Sequence, residues 1–197
     1  AKQDLTHRLE GMSLQHIFGT DQLGRDVLSR MIYGARISLC IGIFPTMISM
    51  ILGTILGLMS GYLGKTVDFI IMRLADIVMA FPSLLLAMVV MYTLGSGIVN
   101  IFLALTIVSW AGTARVVRSQ TLSLREMEYV QAAKSMGVGS FKTMFRHILP
   151  NCLPSLIVLF TLNIPGSILS ESSLSYLGIG AQSPATSWGL MVSEGKD

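Results

Sequence analysis

The stretch Ile37–Gly64, ISLCIGIFPTMISMILGTILGLMSGYLG, holds 28 residues without one Asp, Glu, Lys or Arg. A helix rises 1.5 Å per residue, so about 20 apolar residues cross a hydrocarbon core about 30 Å thick. Two further runs share the property, Ile77–Ala114 with 38 residues and Asn151–Ser170 with 20. Charged residues make up 13% of the 197, against about 25% in ordinary soluble domains. The deficit is concentrated in these runs, and mean hydropathy reaches +0.66. Backbone polar groups in lipid find no water, so spanning segments of this length must be helices. The pattern predicts an all-α, polytopic helical membrane protein.

Working outward, the first span is read as Ile37 to Gly61, with Pro45 inside it. Ser49, Gly53, Gly57 and Gly61 stand four apart, which places small residues on one stripe where another helix backbone can approach. A polar connection follows to Asp76, carrying Lys65, Asp68 and Arg73. The 38-residue run is too long for one span and is broken at Gly95-Ser96-Gly97. It divides into helices at 77–94 and 98–114 joined by a tight turn, with Pro82 in the first turns, where proline costs little. A fourth span covers 149–170, and the Ser-, Gly- and Pro-containing tail 172–197 reads as an ordered loop. Residues 1–36 are polar. From Val27 onward, Leu28, Met31, Ile32 and Tyr33 form a partial apolar stripe, either an interfacial helix or a short helix packed on the rest.

Residues 115–150 carry Arg115, Arg118, Arg125, Lys134, Lys142 and Arg146 against two acids, which places this loop in the cytoplasm by the positive-inside rule. Residues 1–36, the 95–97 turn and the tail then lie outside. The five Lys or Arg in residues 1–36 run against that assignment. Both ends outside imply further helices before residue 1 and after residue 197. Within the loop, Ser123 and Glu126 have capping-box spacing for a helix through Met136, stopped by Gly137-Val138-Gly139. Ser140 can cap a second helix, whose Phe141, Met144, Phe145, Ile148 and Leu149 share one face. Such a hairpin either docks on a partner or packs on the chain's own spans.

Gln131-Ala132-Ala133, Gly137 and Ile148-Leu149-Pro150 resemble the EAA loop of ABC importer permeases, with Gln131 in the Glu slot and His147 in the first Ile slot. Phe18–Asp26, Gly34–Leu39, Arg73–Asp76 with Phe81-Pro82, Arg146–Asn151, Leu174–Gly180 and Ser187-Trp188-Gly189 resemble the peptide and nickel branch, above all the C-type permease of oligopeptide and dipeptide importers. The resemblance implies a type I importer transmembrane domain over 37–197, incomplete at its C-terminus, behind an extracytoplasmic or interfacial segment 1–36. It implies a permease for di- or oligopeptides, with nickel or glutathione as alternatives, in a bacterial or archaeal plasma membrane. Its partners would be a second permease, two ATPase subunits and an external solute-binding protein. This chain would be non-catalytic and bind no cofactor, with ATP and Mg used by the ATPase partners. Glu128, Tyr129, Gln131, Ala132, Ala133, Lys134, Met136 and Gly137 would form the coupling element.

Other chemistries fit the residues poorly. Met59–Thr66 approaches a phosphate-binding loop, but Met59 replaces its first glycine and a membrane helix precedes it. His7, His16 and His147 lie outside the spans, so they build neither a hydrolase nor a metal site there. Cys40 and Cys152 read as small buried hydrophobes, and the 13 Met as gap fillers. The basic residues form no aromatic-interleaved stripe for nucleic acid. An ion-coupled carrier would want acids inside the charge-free runs, and a scaffold gives the Ala-Ala…Gly hairpin no purpose. Glu171, at a span end, is the candidate path-lining acid; hydrogen bonding to neighbouring loops is the other reading.

Overall fold

The computed structural model describes residues 3–180 and 186–195. The ends of both the 1–36 segment and the 172–197 tail therefore lie outside the described residues. The elements are helices: α1 (Val27–Leu63), α2 (Lys65–Met79), α3 (Ser83–Leu94), α4 (Ile98–Leu124), α5 (Glu128–Ser135), α6 (Ser140–Thr143), a π turn (Met144–Ile148), α7 (Leu149–Tyr176) and α8 (Trp188–Glu194). Three continuous helices are long and apolar enough to cross a membrane: Val27–Leu63, Ile98–Leu124 and Ser140–Tyr176. The α2–α3 pair, bent by 91°, makes a fourth crossing if counted as one broken span.

Helix α1 corrects the expected start of the first span. No break separates Val27–Tyr33 from the apolar run, so that stripe opens the same continuous helix as the span. Asp26 caps it by accepting from the Ser29 amide at 2.7 Å. At 37 residues α1 is about 55 Å long, well beyond the hydrocarbon thickness. The expected polar connection is instead α2, and the helix expected at 77–94 is broken at Ala80-Phe81-Pro82. Pro82 lacks an N–H and disfavours helical backbone at Phe81, so the chain turns there and α3 starts afresh. The Gly95–Gly97 turn is present, with Gly95 at φ +85 and the Asn100 amide donating to the Leu94 and Gly95 carbonyls.

Helix α4 overruns its expected end at Ala114 by ten residues. Its buried Val117 and Thr121 continue along the glycines of α1, and this packing carries it past the charge-free run. Ser123 therefore sits in the last turn of α4, bonded to the Ser119 carbonyl, and does not cap α5, whose N-cap is Met127 without a side-chain bond. Gly139, not Ser140, precedes α6. Pro150 cannot donate to a helical ladder, and the chain passes this point through a wide turn in which the Leu149 amide reaches the Met144 carbonyl. The tail is more helical than expected, since α7 runs to Tyr176 and α8 follows.

Two buried clusters hold the bundle. Ile41, Ala87, Met91, Ile101, Ala104, Leu105 and Leu174 join α1, α3, α4 and the end of α7. Leu58, Val117, Val130, Met144, Ile148, Cys152 and Leu156 join the other ends of α1 and α4 to α5, the π turn and α7. Between them α1 and α4 are in backbone contact. A Cβ at Gly53 would lie 2.6 Å from the Trp110 carbonyl oxygen, one at Gly57 2.6 Å from that of Ala114, and one at Gly61 2.6 Å from Thr121 Cβ. Ser49, on the same stripe, is buried and donates to the Thr46 carbonyl.

Candidate functional site

Helix α5 combines an anchored face with a free one. Val130 and Ala133, three residues apart, are each 2% exposed, and Val130 enters the second cluster. Glu128, Tyr129, Gln131, Ala132, Lys134 and Met136 point outward, Met136 with 77% of its surface exposed. The helix ends in a two-bond cap: the Gly137 amide donates to the Lys134 carbonyl at 3.0 Å and the Val138 amide to Ala133 at 3.1 Å. This cap requires the left-handed φ of +79 that Gly137 supplies. Gln131 spends its amide on the Arg125 carbonyl at 2.9 Å, tying α5 back to the end of α4. Ala133 thus serves the anchor, while Tyr129, Ala132 and Met136, at i, i+3 and i+7, offer the free surface.

Beneath α5 the ends of α1, α2 and α4 are cross-linked by charge. Arg118 clasps Asp68 with two nitrogens, the second at 2.6 Å, and Ser60 donates to the same carboxylate. Arg115 donates to Asp76 at 2.7 Å, and Arg125 to the Gly61 carbonyl at 2.9 Å. A two-point guanidinium–carboxylate contact fixes orientation as well as distance. Motion of α5 would therefore be passed to α1, α2 and α4 together. A cleft of about 430 Å³ lies alongside, lined by Tyr62, Arg125, Glu126, Gln131, Lys134 and Ser140 among others.

A second cavity, about 520 Å³, lies between α2–α3, α4 and α7. Its lining contains no charged side chain; Ser83, Ser109, Thr113, Asn163, Ser167 and Ser170 supply its polarity. Ser167 is fixed by a 2.8 Å hydrogen bond to Thr46 that also joins α1 to α7. Glu171 does not line this cavity. It is fully buried, and its Oε1 accepts from the hydroxyls of Ser175 and Ser187, each at 2.7 Å. The structure thus places Glu171 as the hydrogen-bonding acid that holds the tail against α7. Gly189 permits this, since a Cβ there would sit 2.4 Å from Ser172 Cα and 3.0 Å from Glu171 Oε2.

The tail is also bound to α1. The Trp188 backbone amide donates to Ser38 and its indole N–H to the Met31 carbonyl, both at 3.0 Å. Arg25 and Arg30 each bridge Asp21 to Glu194, so that the N-terminal segment, α1 and α8 share one ion-pair cluster. Burial opposes ionisation of Asp21, but hydrogen bonds from the Arg25 and Leu23 amides and from the Arg25 side chain, with that guanidinium's charge, hold its pKa below the usual carboxylate range. Asp26 is lowered by its hydrogen bonds from Ser29 and His16.

The hairpin, the small-residue stripe and Glu171 were all signalled by the sequence. The Asp68–Arg118 and Arg30–Glu194 pairs were not, because their members stand 50 and 164 residues apart. Asn163 also has a signature in the sequence, as the amide in the interior of the 151–170 charge-free run.

Comparison with known proteins agrees with this architecture. Residues 53–196 match the family described as binding-protein-dependent transport system inner membrane component. The glutathione transport system permease protein GsiD of Pectobacterium atrosepticum is 46% identical over 187 residues, covering 95% of this chain and 62% of that protein. The dipeptide transport system permease protein DppC of Bacillus subtilis is 42% identical over 194 residues, 98% of this chain and 61% of that protein. The oligopeptide transport system permease protein OppC of the same organism is 44% identical over 183 residues, 93% and 60% respectively. The chain spans about three fifths of the length of these relatives. With its family matched over most of its length and its helices built to cross a membrane several times, the chain belongs to the binding-protein-dependent transport system inner membrane components.

Proposed function

We propose that this chain is a permease subunit of an ATP-binding-cassette importer that forms one side of a translocation path for di- or oligopeptides. A second permease completes the path, an external binding protein delivers the solute, and two ATPase subunits supply the work. The chain itself catalyses nothing and holds no cofactor; ATP and Mg belong to the ATPase subunits. Residues 3–26 and α8 lie on the outer side of a bacterial or archaeal plasma membrane and α5 on the inner side. The observation that carries this reading is the division of α5 into an anchored face, Val130 and Ala133, and an exposed face, Tyr129, Ala132 and Met136. An element rooted in the bundle but free on its outer side receives force from a separate motor and passes it through Gln131, Arg125 and the Asp68–Arg118 pair. The bundle then changes between two packings, opening the path alternately to either side. Glutathione, a tripeptide, is the second substrate reading, favoured by the 46% identity to a glutathione permease.

The test uses the fully assembled importer in vesicles. Ala132 is exposed, so Ala132→Glu leaves the fold intact while placing a charge on the docking face. The expected result is an assembled, membrane-inserted complex in which ATP hydrolysis no longer drives uptake. Wild-type coupling in Ala132→Glu, or purification of the chain without any ATPase subunit, would count against the proposal.

A further inference from the structure

We infer that Asn163, with Gly112 and Gly166, forms a charge-free, width-limiting contact site for peptide backbone in the cavity between α4 and α7. The inference rests on the importer reading and adds to it how the site selects.

Two kinds of glycine occur in these helices. Gly53, Gly57 and Gly61 are small because a neighbouring backbone occupies the space their side chains would fill. Gly112 and Gly166 have no such reason: both are helical, neither has a positive φ, and a Cβ at either would meet nothing within 4 Å. Glycine in a helix interior costs about 0.5–1 kcal/mol relative to alanine. Here it returns neither packing nor a turn among the described residues. Both residues line the 520 Å³ cavity, from opposite helices, and there they keep it wide.

Asn163 supplies the chemistry. It is exposed, lines the same cavity, and makes no side-chain hydrogen bond among the described residues. An unpaired amide at the depth of a charge-free span is costly in hydrocarbon, so it must face water or a polar ligand. A primary amide offers two donors and an acceptor, the complement of a peptide group. Ser109, on α4, adds a hydroxyl without a partner among the described residues. The lining has no acid or base to pair with a peptide's charged termini or side chains. Such a surface recognises what all peptides share, their amide groups, and discriminates by bulk.

The test uses the assembled importer with its binding protein, in vesicles, and measures uptake of dialanine and of the Trp-Trp dipeptide. Gly112→Leu and Gly166→Leu should assemble and lower Trp-Trp uptake about tenfold or more relative to dialanine. An equal fall for both peptides, an unchanged ratio, or loss of assembly because the glycines pack against the partner permease would overturn the inference. A second measurement does not need transport. In a Cys40→Ala, Cys152→Ala background, Asn163→Cys should react with a charged, membrane-impermeant thiol reagent in the assembled complex. No reaction would place Asn163 against lipid or protein and overturn the site. If Asn163→Cys reacts but the wild-type importer carries neither peptide, the substrate reading falls and the aqueous cavity stands.

Discussion

Replacing Gly57 with alanine adds one methyl group where α1 meets α4. That methyl would lie 2.6 Å from the Ala114 carbonyl oxygen, 2.8 Å from Val117 Cβ and 3.1 Å from the Arg118 amide nitrogen. Two of the three obstacles are backbone, so no side chain can swing aside and the helices must separate by several tenths of an ångström. A radial gap of 0.5–1 Å forfeits about a quarter to a half of each dispersion contact, and overpacking of this kind costs about 1–3 kcal/mol. Alanine regains about 0.5–1 kcal/mol through its helix propensity. The net expectation is a loss of up to about 2.5 kcal/mol for Gly57→Ala. Gly112→Ala, with nothing within 4 Å, keeps only the favourable part and should be neutral or more stable by up to about 1 kcal/mol. Both variants are compared with wild type by thermal unfolding of the detergent-solubilised protein, followed by helical circular dichroism. Equal stability of the two variants, or a Gly57→Ala protein more stable than Gly112→Ala, would refute the account of the α1–α4 seam.

Two further outcomes follow from the end of the bundle where α8 packs. Glu171→Ala removes the carboxylate that accepts two buried hydrogen bonds, from Ser175 and Ser187, each bond to a charged group contributing about 1.5–3 kcal/mol. Hydrogen exchange at the Leu190 and Met191 amides should then rise by about tenfold or more while α4 is unaffected; unchanged exchange in α8 would show that Glu171 does not hold it. The Asp21 cluster predicts acid sensitivity. A carboxylate whose folded pKa lies below its unfolded value of about 3.9 contributes fully above that value and loses its contribution as pH falls through the folded pKa. Protease access to residues 8–25 should therefore be low at about pH 6 and rise at about pH 2, and Asp21→Asn should show the raised access already at about pH 6. Resistance of that variant at the higher pH would mean that Arg25 and Arg30 hold the segment without Asp21.

The membrane class, the Gly95–Gly97 turn, the small-residue stripe and the Gly137 stop were legible in the residues themselves. Each reflects a rule that acts locally: hydrocarbon excludes charge, left-handed backbone favours glycine, and a four-residue repeat puts one face on a neighbour. Gln131 and Ala133 could be located by pattern, but their division of labour, one tying α5 to α4 and the other buried beneath it, could not.

Helix limits and long-range pairs lay beyond the sequence for one physical reason: both depend on what lies alongside in space. Val27–Arg36 continues the helix of the first span, with α8 packed against one side of it through Trp188 on Met31 and Glu194 on Arg30. The last ten residues of α4 are helical because Gly57 and Gly61 of α1 receive them, which also strands Ser123 inside α4 when it was expected to open the next helix. Glu171, ambiguous as a letter at a span end, became a buried acceptor only when α8 brought Ser187 and Gly189 onto it. Local patterning determined which segments enter the membrane; packing between segments far apart in the chain decided where each helix ends and which polar groups meet.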